Sequence, residues 1–191
     1  LHADDVPAPR DAYGLSKLEA EQGLRQLAAT TAMQVVVIRP TLVYGPGVKA
    51  NFHSMMRWVQ RGVPLPFAKV DNRRSLVSVA NLVDLIITCI DHPNAANQTF
   101  MASDGEDVSL SQLLHALGRV LGQPARLLPV PVGVLHGAAQ LVGRRDLAQR
   151  LLGSLQVDIA KNRQLLGWYP PYTLEQGLKM TAQSLLEARR P

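Results

Sequence analysis

The chain has 191 residues, 47% of them hydrophobic, a size and composition that suit one globular domain with room for a smaller lobe. No apolar run approaches the roughly 20 residues of a membrane-spanning helix, and no signal peptide opens the chain, so no membrane association is expected. The net charge of +5 favours anionic partners, but 5% aromatic residues and scattered arginines argue against nucleic acid; a diphosphate-bearing small molecule or plain solubility would account for the charge.

The predicted helices and strands alternate along the chain. Apolar residues at helical spacing, together with capping patterns, predict helices over residues 12–29, 51–61, 80–91, 109–121, 133–142, 158–166 and from 173 onward. Extended runs are predicted over residues 34–38, 65–67, 75–79, 99–102 and 126–130, and a Gly-Pro-Gly loop over 41–50. This alternation is typical of an α/β fold. Because no strand is followed by Gly-x-Gly-x-x-Gly, we expect the dinucleotide-binding turn to lie upstream of residue 1.

The cysteine and histidine content bounds the chemistry. The single cysteine, Cys89, excludes an internal disulfide bond, and its place in an apolar run predicts a buried residue rather than a nucleophile. We therefore expect a cytoplasmic protein. The histidines stand singly, without a second ligand at metal spacing, so no metal site is expected.

Tyr13 and Lys17 stand four residues apart in the first predicted helix, which puts both side chains on one face. A free phenol has a pKa of about 10 and is a poor base near neutral pH, but a nearby cation stabilises the phenolate. Such a tyrosine can accept a hydroxyl proton as hydride leaves the carbinol carbon, or return the proton to a ketone. An isolated pair of this kind is more often an ordinary surface pair, so the surrounding sequence decides whether it is interpreted as catalytic.

A series of motifs supplies that context. In chain order they are Tyr13-x-x-x-Lys17, Arg39-Pro40-x-x-Val43-Tyr44-Gly45-Pro46-Gly47, Asn51-Phe52, Arg74-Ser75-Leu76-Val77-Ser78-Val79-x-x-Leu82-Val83-Asp84 and Leu165-Leu166-Gly167-Trp168. The ordered set covers essentially the whole chain. It resembles the carboxyl-terminal part of the extended short-chain dehydrogenases/reductases, the NAD-dependent epimerase/dehydratase family acting on nucleotide sugars.

The resemblance implies a fold and a division of the chain. The fold would be the carboxyl-terminal portion of a Rossmann-like, doubly wound parallel sheet with a small α/β substrate-binding lobe. Residues 1–50 would be the remnant of the dinucleotide-binding domain. Residues 51–191 would form mainly the substrate-binding lobe, with a segment near 75–102 returning to the sheet.

The resemblance also implies roles at the catalytic end of the site. Tyr13 would be the catalytic acid/base, and Lys17 would hold the nicotinamide ribose and favour the phenolate. Pro40, after the second predicted element, would lie near the nicotinamide. Many relatives carry asparagine where this chain has Leu42, so the resemblance implies no polar side-chain contact from that position.

Substrate residues follow from the same resemblance. Asn51, at the start of a helix, would bind a phosphate oxygen, although a simple helix cap explains it as well. Leu65 and Phe67 would lie along the nucleotide base, with a core strand as the alternative. Arg74 would grip the diphosphate through its planar fork of donors. Arg150 is the candidate for a second diphosphate arginine, for which the neighbouring residues Arg144 and Arg145 are substitutes.

The implied activity is that of a UDP-sugar 4-epimerase or 4-keto reductase in surface-polysaccharide metabolism, with NAD or NADP as cofactor. A sugar-nucleotide 4,6-dehydratase shares the first step and is an alternative. Two hypotheses from other classes are a non-catalytic nucleotide-sugar binding module and a basic nucleic-acid binder, which no motif supports. A nucleotide-diphosphate sugar is the expected partner, and a homodimer is expected for the intact enzyme. Without the glycine-rich turn, the chain is expected to be inactive alone.

Overall fold

Helices and strands alternate along most of the chain, as the sequence predicted. The computed structural model describes residues 1–9, 11–141, 143 and 145–187. In chain order its elements are α1 (Ala12–Thr30), β1 (Val37–Pro40), β2 (Leu42–Tyr44), α2 (Ala50–Gln60), β3 (Arg74–Ser78), α3 (Val79–Asp91), β4 (Thr99–Ala102), β5 (Asp107–Val108), α4 (Leu110–Leu121), α5 (Val132–Leu141), α6 (Arg145–Leu152), α7 (Ala160–Leu166) and α8 (Leu174–Glu187). Within the described ranges, no helix combines the length and the apolar character that crossing a membrane requires.

Two small sheets meet where the chain passes through Thr41. β1 pairs in parallel with β4, with Val37 opposite Thr99 and Pro40 opposite Ala102. β2 pairs in parallel with β3, which pairs antiparallel with β5. The backbone N–H and the hydroxyl of Thr41 both donate to the Ala102 carbonyl oxygen, at 3.2 and 3.0 Å. Parallel strands joined through helices confirm the predicted α/β class.

Two clusters of buried side chains pack against these strands. The first lies between α2, α4, α8 and the strand pair β2–β3, and its fully buried members include Tyr44, Met56, Leu114 and Leu178. The second joins α3 and α7 to β4 and includes Leu85, Phe100, Leu166 and Trp168. β3 serves both clusters, because successive side chains of a strand point to opposite faces: Leu76 enters the first and Val77 the second. The division of the chain near residue 50 stays a prediction.

Local signals set the helix ends well. Ser109 accepts a hydrogen bond from the Gln112 N–H while the Gln112 side chain accepts one from the Ser109 N–H, so the predicted capping box of α4 is confirmed. Thr173 and Gln176 exchange the same two bonds before α8, at 2.9 and 3.3 Å. Each box satisfies backbone donors that the first helical turn leaves without partners. The predicted end of the 133–142 helix, Val142, lies outside the described residues.

Four predictions of secondary structure are wrong. Residues 42–44 form β2 rather than loop. A segment of three residues has too short a pattern to predict a strand, and it becomes one here by pairing with β3. The predicted extended runs 65–67 and 126–130 are both reduced to a single bridge between Leu65 and Leu127. The ladder stops there because the next donors bond within their own segments, Phe67 N–H to the Leu65 carbonyl oxygen and Val130 N–H to that of Leu128. Helix α6 was not predicted at all, because its eight residues give too short a pattern.

A buried hydrogen-bond network holds the carboxyl ends of β2 and β3. The Tyr44 hydroxyl donates to Asp104 Oδ2 at 2.6 Å. Asp104 Oδ1 accepts from the Ser78 backbone N–H at 2.8 Å and from Asn81 Nδ2 at 2.7 Å. Burial, reinforced by the Asp104 carboxylate, raises the pKa of Tyr44, so the phenol stays protonated and remains a donor. One carboxylate therefore ties together β2, β3 and the start of α3.

We expect the thiol of Cys89 to react slowly in the folded chain. Its side chain is 6% exposed in the second cluster, and burial raises the pKa of the thiol to about 11. A rise of two units above the usual value lowers the thiolate fraction near neutral pH about 100-fold. The rate of reaction with a disulfide reagent, measured with and without urea, checks this. Equal rates in the two conditions would contradict the predicted burial.

Candidate active site

Tyr13 and Lys17 lie side by side on the first turns of α1. The Asp11 carboxylate begins the helix by accepting a hydrogen bond from the Gly14 N–H at 2.7 Å. Lys17 Nζ lies over the Tyr13 ring, 5.4 Å from the ring centroid, which is within the range of a cation–π contact. Tyr13 is 72% exposed, so its hydroxyl is accessible to a ligand. The two groups thus share one environment, as their spacing predicted.

A cleft of about 860 Å³ opens beside this part of α1. Lys17 lines it, together with Arg39 of β1 and Met101 of β4. The segments 5–9 and 154–156 also line it, whereas Tyr13 lies beside it without lining it. Clefts of roughly 300–1,000 Å³ hold small molecules and cofactors of nucleotide size. The cleft therefore offers a binding volume next to the tyrosine–lysine pair.

Arg74 has a buried donor without a partner. It begins β3, and one of its terminal nitrogens, Nη1, donates to the Arg150 carbonyl oxygen. Its Nε is buried and, among the described residues, has no hydrogen-bond partner. Burial lowers the pKa of this guanidinium, which means that its charge is poorly compensated. A phosphate oxygen would satisfy both the unpaired N–H and the charge.

Arg150 connects Arg74 to the start of α1. It lies in the last turn of α6, and its Nη2 is 3.9 Å from Asp11 Oδ2. The two side chains are 75% and 59% exposed, and such surface pairs contribute about 0–1 kcal/mol, so the Arg150 guanidinium can exchange this partner for a ligand. The structure thus brings Arg74 and Arg150 close to the helix of Tyr13. Of the two substitutes, Arg145 is exposed on α6, and Arg144 lies outside the described residues.

Arg74 and Arg150 lie near the start of α1 without lining the cleft, and the other predicted substrate residues do not line it either. Asn51 is exposed in α2, and the helix cap is Lys49, so the alternative that Asn51 caps the helix is wrong. Leu65 is 6% exposed in the first cluster, and Phe67 packs against the same cluster. None of the three is among the residues that line the cleft. Their contacts with a substrate stay predictions.

Pro40 and Leu42 flank the point where the chain changes sheets. Pro40 is exposed at the end of β1. Leu42 is 45% exposed and lines a small apolar pocket of about 30 Å³ that Arg74 also lines. Leu42 is therefore adjacent to the candidate diphosphate arginine. No group of three or more histidine, cysteine, aspartate or glutamate side chains in the part of the chain that the structure describes could hold a metal ion.

Sequence reasoning missed the contacts that attach α1 to the sheet. Arg39 forms an ion pair with Glu21, with 2.6 Å between Nη2 and Oε2, and Arg25 donates to the Thr99 hydroxyl. A signal existed, because Glu21 and Arg25 continue the four-residue spacing of Tyr13 and Lys17. Their partners, however, lie 18 and 74 residues away along the chain, where no local pattern points to them.

Comparison with known proteins agrees with this geometry. Residues 2–102 match the model of the NAD dependent epimerase/dehydratase family. The chain is 55% identical over 186 residues to a UDP-glucose 4-epimerase of Vibrio cholerae, covering 97% of this chain and 57% of that protein. It thus spans little more than half the length of that relative.

Solved structures of relatives share the fold. A UDP-glucose 4-epimerase of Thermotoga maritima, solved with UDP-glucose, is 22% identical, with a TM-score of 0.75 over 100% of this chain and 58% of that one. A UDP-glucuronic acid 4-epimerase of Bacillus cereus, solved with NAD, is 17% identical, with a TM-score of 0.76 over 99% of this chain and 55% of that one. By its motifs, its fold and the family model that matches more than half of it, this chain belongs to the NAD-dependent epimerase/dehydratase family.

Proposed function

We propose that this chain is the part of a UDP-sugar 4-epimerase or 4-keto reductase that carries the acid/base and binds the sugar nucleotide. The observation that carries the proposal is the Tyr13–Lys17 pair beside a cleft of about 860 Å³, with Arg74 and Arg150 near the same helix start. The 55% identity to a protein named UDP-glucose 4-epimerase favours the epimerase over the 4,6-dehydratase. Cytoplasmic placement and a homodimer of the complete enzyme stay predictions.

Tyr13 moves the proton in the proposed reaction. Its phenol accepts the proton of the sugar C4 hydroxyl when the alcohol is oxidised and returns it when the ketone is reduced. Lys17, with Nζ 5.4 Å from the centroid of the phenol ring, holds a positive charge beside the tyrosine in the proposed complex. The exposure of Tyr13 gives the sugar access to the hydroxyl.

The two arginines bind the diphosphate in the proposed complex. The Arg74 guanidinium carries a buried N–H that has no partner within the described part of the chain, and a diphosphate oxygen supplies the missing acceptor. Arg150 replaces its weak contact with Asp11 by a charge-assisted bond to the same group. Two arginines on different elements fix the orientation of the nucleotide as well as its charge.

A nicotinamide dinucleotide fits only part of this chain. A bound nicotinamide would supply the acceptor and donor of hydride that the reaction needs. Lys17 lines the cleft, which supports the proposal that it would hold the ribose. The glycine-rich turn that normally holds the pyrophosphate is not in this sequence. We therefore infer that the chain alone retains sugar-nucleotide binding but little cofactor affinity.

Calorimetric titration of the 191-residue chain with UDP and with NAD tests the proposal. We expect measurable UDP binding and negligible NAD binding. Arg74→Met should weaken UDP binding about 10- to 100-fold, because a hydrogen bond to a charged group contributes about 1.5–3 kcal/mol. Arg73→Met is the matched control, since Arg73 is an exposed neighbour. Tight NAD binding, or equal effects of the two substitutions, would contradict the proposal.

Turnover is tested in a hybrid protein. The hybrid joins the amino-terminal part of the Vibrio cholerae relative, which this chain does not cover, to residues 1–191. We expect it to interconvert the C4 epimers of a UDP-hexose or to reduce a UDP-4-keto sugar. A folded hybrid that binds UDP and NAD but shows neither reaction would support the non-catalytic binding module instead.

A further inference from the structure

The helix that carries Tyr13 and Lys17 is not anchored by buried side chains. No residue of α1 is buried. Its leucines at 15, 24 and 27 are 49%, 45% and 46% exposed, so within these 191 residues apolar packing does little to fix how the helix is rotated about its own axis. A catalytic side chain on such a helix needs another source of orientation, because displacements near 1 Å can reduce a rate about 100-fold.

Two polar contacts attach α1 to the strands beneath it. Arg39 of β1 grips both carboxylate oxygens of Glu21, with Nε to Oε1 at 3.0 Å and Nη2 to Oε2 at 2.6 Å. Arg25 Nη2 donates to Thr99 Oγ1 of β4 at 2.5 Å. The hydrogen bond from Arg39 holds the pKa of the Glu21 carboxyl below its usual value, so the pair stays ionised at neutral pH. A bidentate contact of this kind restrains the relative orientation of the two side chains as well as the distance between them.

The spacing of the two contacts on the helix matches their spacing on the sheet. Arg39 lies opposite Met101, two positions after Thr99 on the neighbouring strand. Two strand residues span about 6.6 Å, and the four residues from Glu21 to Arg25 rise about 6 Å along the helix. Because the lengths agree, both contacts form at the same time, and two contacts about one helical turn apart resist rotation of the helix better than one.

We propose that Glu21 and Arg25 are positioning residues, which set the rotation of α1 and thereby direct Tyr13 and Lys17 toward the substrate. Side chains four residues apart on a helix differ in direction by only about 40°. Tyr13, Lys17, Glu21 and Arg25 therefore follow one another along one side of α1. Because Glu21 and Arg25 are bound to β1 and β4, the directions of Tyr13 and Lys17 are set as well. This inference rests on the proposed function, because it assigns a role within that site.

Kinetics of the hybrid protein separate positioning from stability. We expect Glu21→Ala to lower kcat about 10- to 100-fold with KM little changed. Arg39→Lys should lower kcat as much, because a lysine keeps the charge but cannot form the bidentate hydrogen bonds with Glu21. Glu19→Ala, which removes an exposed carboxylate from the same helix, should leave kcat unchanged. A normal kcat per folded molecule in Arg39→Lys would overturn the inference and leave the pair a purely structural role.

Residual dipolar couplings test the rotation in the 191-residue chain itself. Couplings of the α1 backbone amides vary with the helical period, and their phase reports the rotation of the helix relative to the sheet. Glu21→Ala and Arg39→Lys should shift that phase while Glu19→Ala leaves it unchanged. An unshifted phase would overturn the inference whether or not the hybrid is active. An inactive parent hybrid, in contrast, would count against the proposed function only.

Discussion

Replacing Asp104 with alanine is expected to lower the free energy of unfolding by about 3–5 kcal/mol. The carboxylate is 8% exposed and accepts three hydrogen bonds, from the Tyr44 hydroxyl, the Ser78 N–H and the Asn81 amide. Alanine leaves the Ser78 N–H and one Asn81 amide N–H without an acceptor, while the Tyr44 hydroxyl keeps only its 3.3 Å bond to the Leu174 carbonyl oxygen. Each unsatisfied donor costs about 1–3 kcal/mol. Urea denaturation of the 191-residue chain, followed by circular dichroism, measures the change.

Two further variants make the Asp104 measurement specific. Tyr44→Phe keeps the ring in the core and removes one donor, so it should cost only about 1–2 kcal/mol. Asp91→Ala, at an exposed position, should change the free energy of unfolding by less than about 0.5 kcal/mol. A loss of unfolding free energy in Asp104→Ala no larger than that in Asp91→Ala would contradict the stabilising role of the network.

The Asp104 network also explains what sequence reasoning could not find. Tyr44 and Ser78 belong to motifs that identify the family, yet their partner Asp104 lies 60 and 26 residues away from them. Nothing in the turn around Asp104 distinguishes a buried acceptor from a solvated acid. Helix ends were predictable, because a capping box is complete within four residues. β2 was not, because its three residues become a strand only when β3 pairs with them.

The residues of the candidate site also divide into those that the sequence predicts and those that it does not. The contact between Tyr13 and Lys17 follows from one helical turn, so the sequence alone predicted it. The path from Arg74 through Arg150 to Asp11 joins residues far apart in the chain, and only the resemblance to a family suggested those arginines. The Leu65 side chain illustrates the limit: an apolar residue between prolines suits a core position or a base-binding wall equally well from sequence, and the structure places it in the core.

Tyr13→Phe is expected to lower kcat of the hybrid protein about 100- to 10,000-fold with a small change in KM. Phenylalanine keeps the ring that lies 5.4 Å from Lys17 Nζ and removes only the hydroxyl that exchanges the proton. Because no residue of α1 is buried, the substitution should not alter the free energy of unfolding by more than about 0.5 kcal/mol. Steady-state kinetics with a UDP-sugar, together with urea denaturation, checks both expectations.

The control for Tyr13→Phe is Tyr169→Phe. Tyr169 is also exposed, at 64%, and its ring lies near a cation, Arg163, at 5.4 Å, so the control removes a comparable hydroxyl from a comparable setting. A loss of kcat in Tyr13→Phe alone would assign proton transfer to that hydroxyl, because the ring, the neighbouring charge and the fold are all retained. A Tyr13→Phe hybrid with full activity would remove the chemical basis of the proposed function, even with UDP binding intact, and would leave the arginines as the whole of the site.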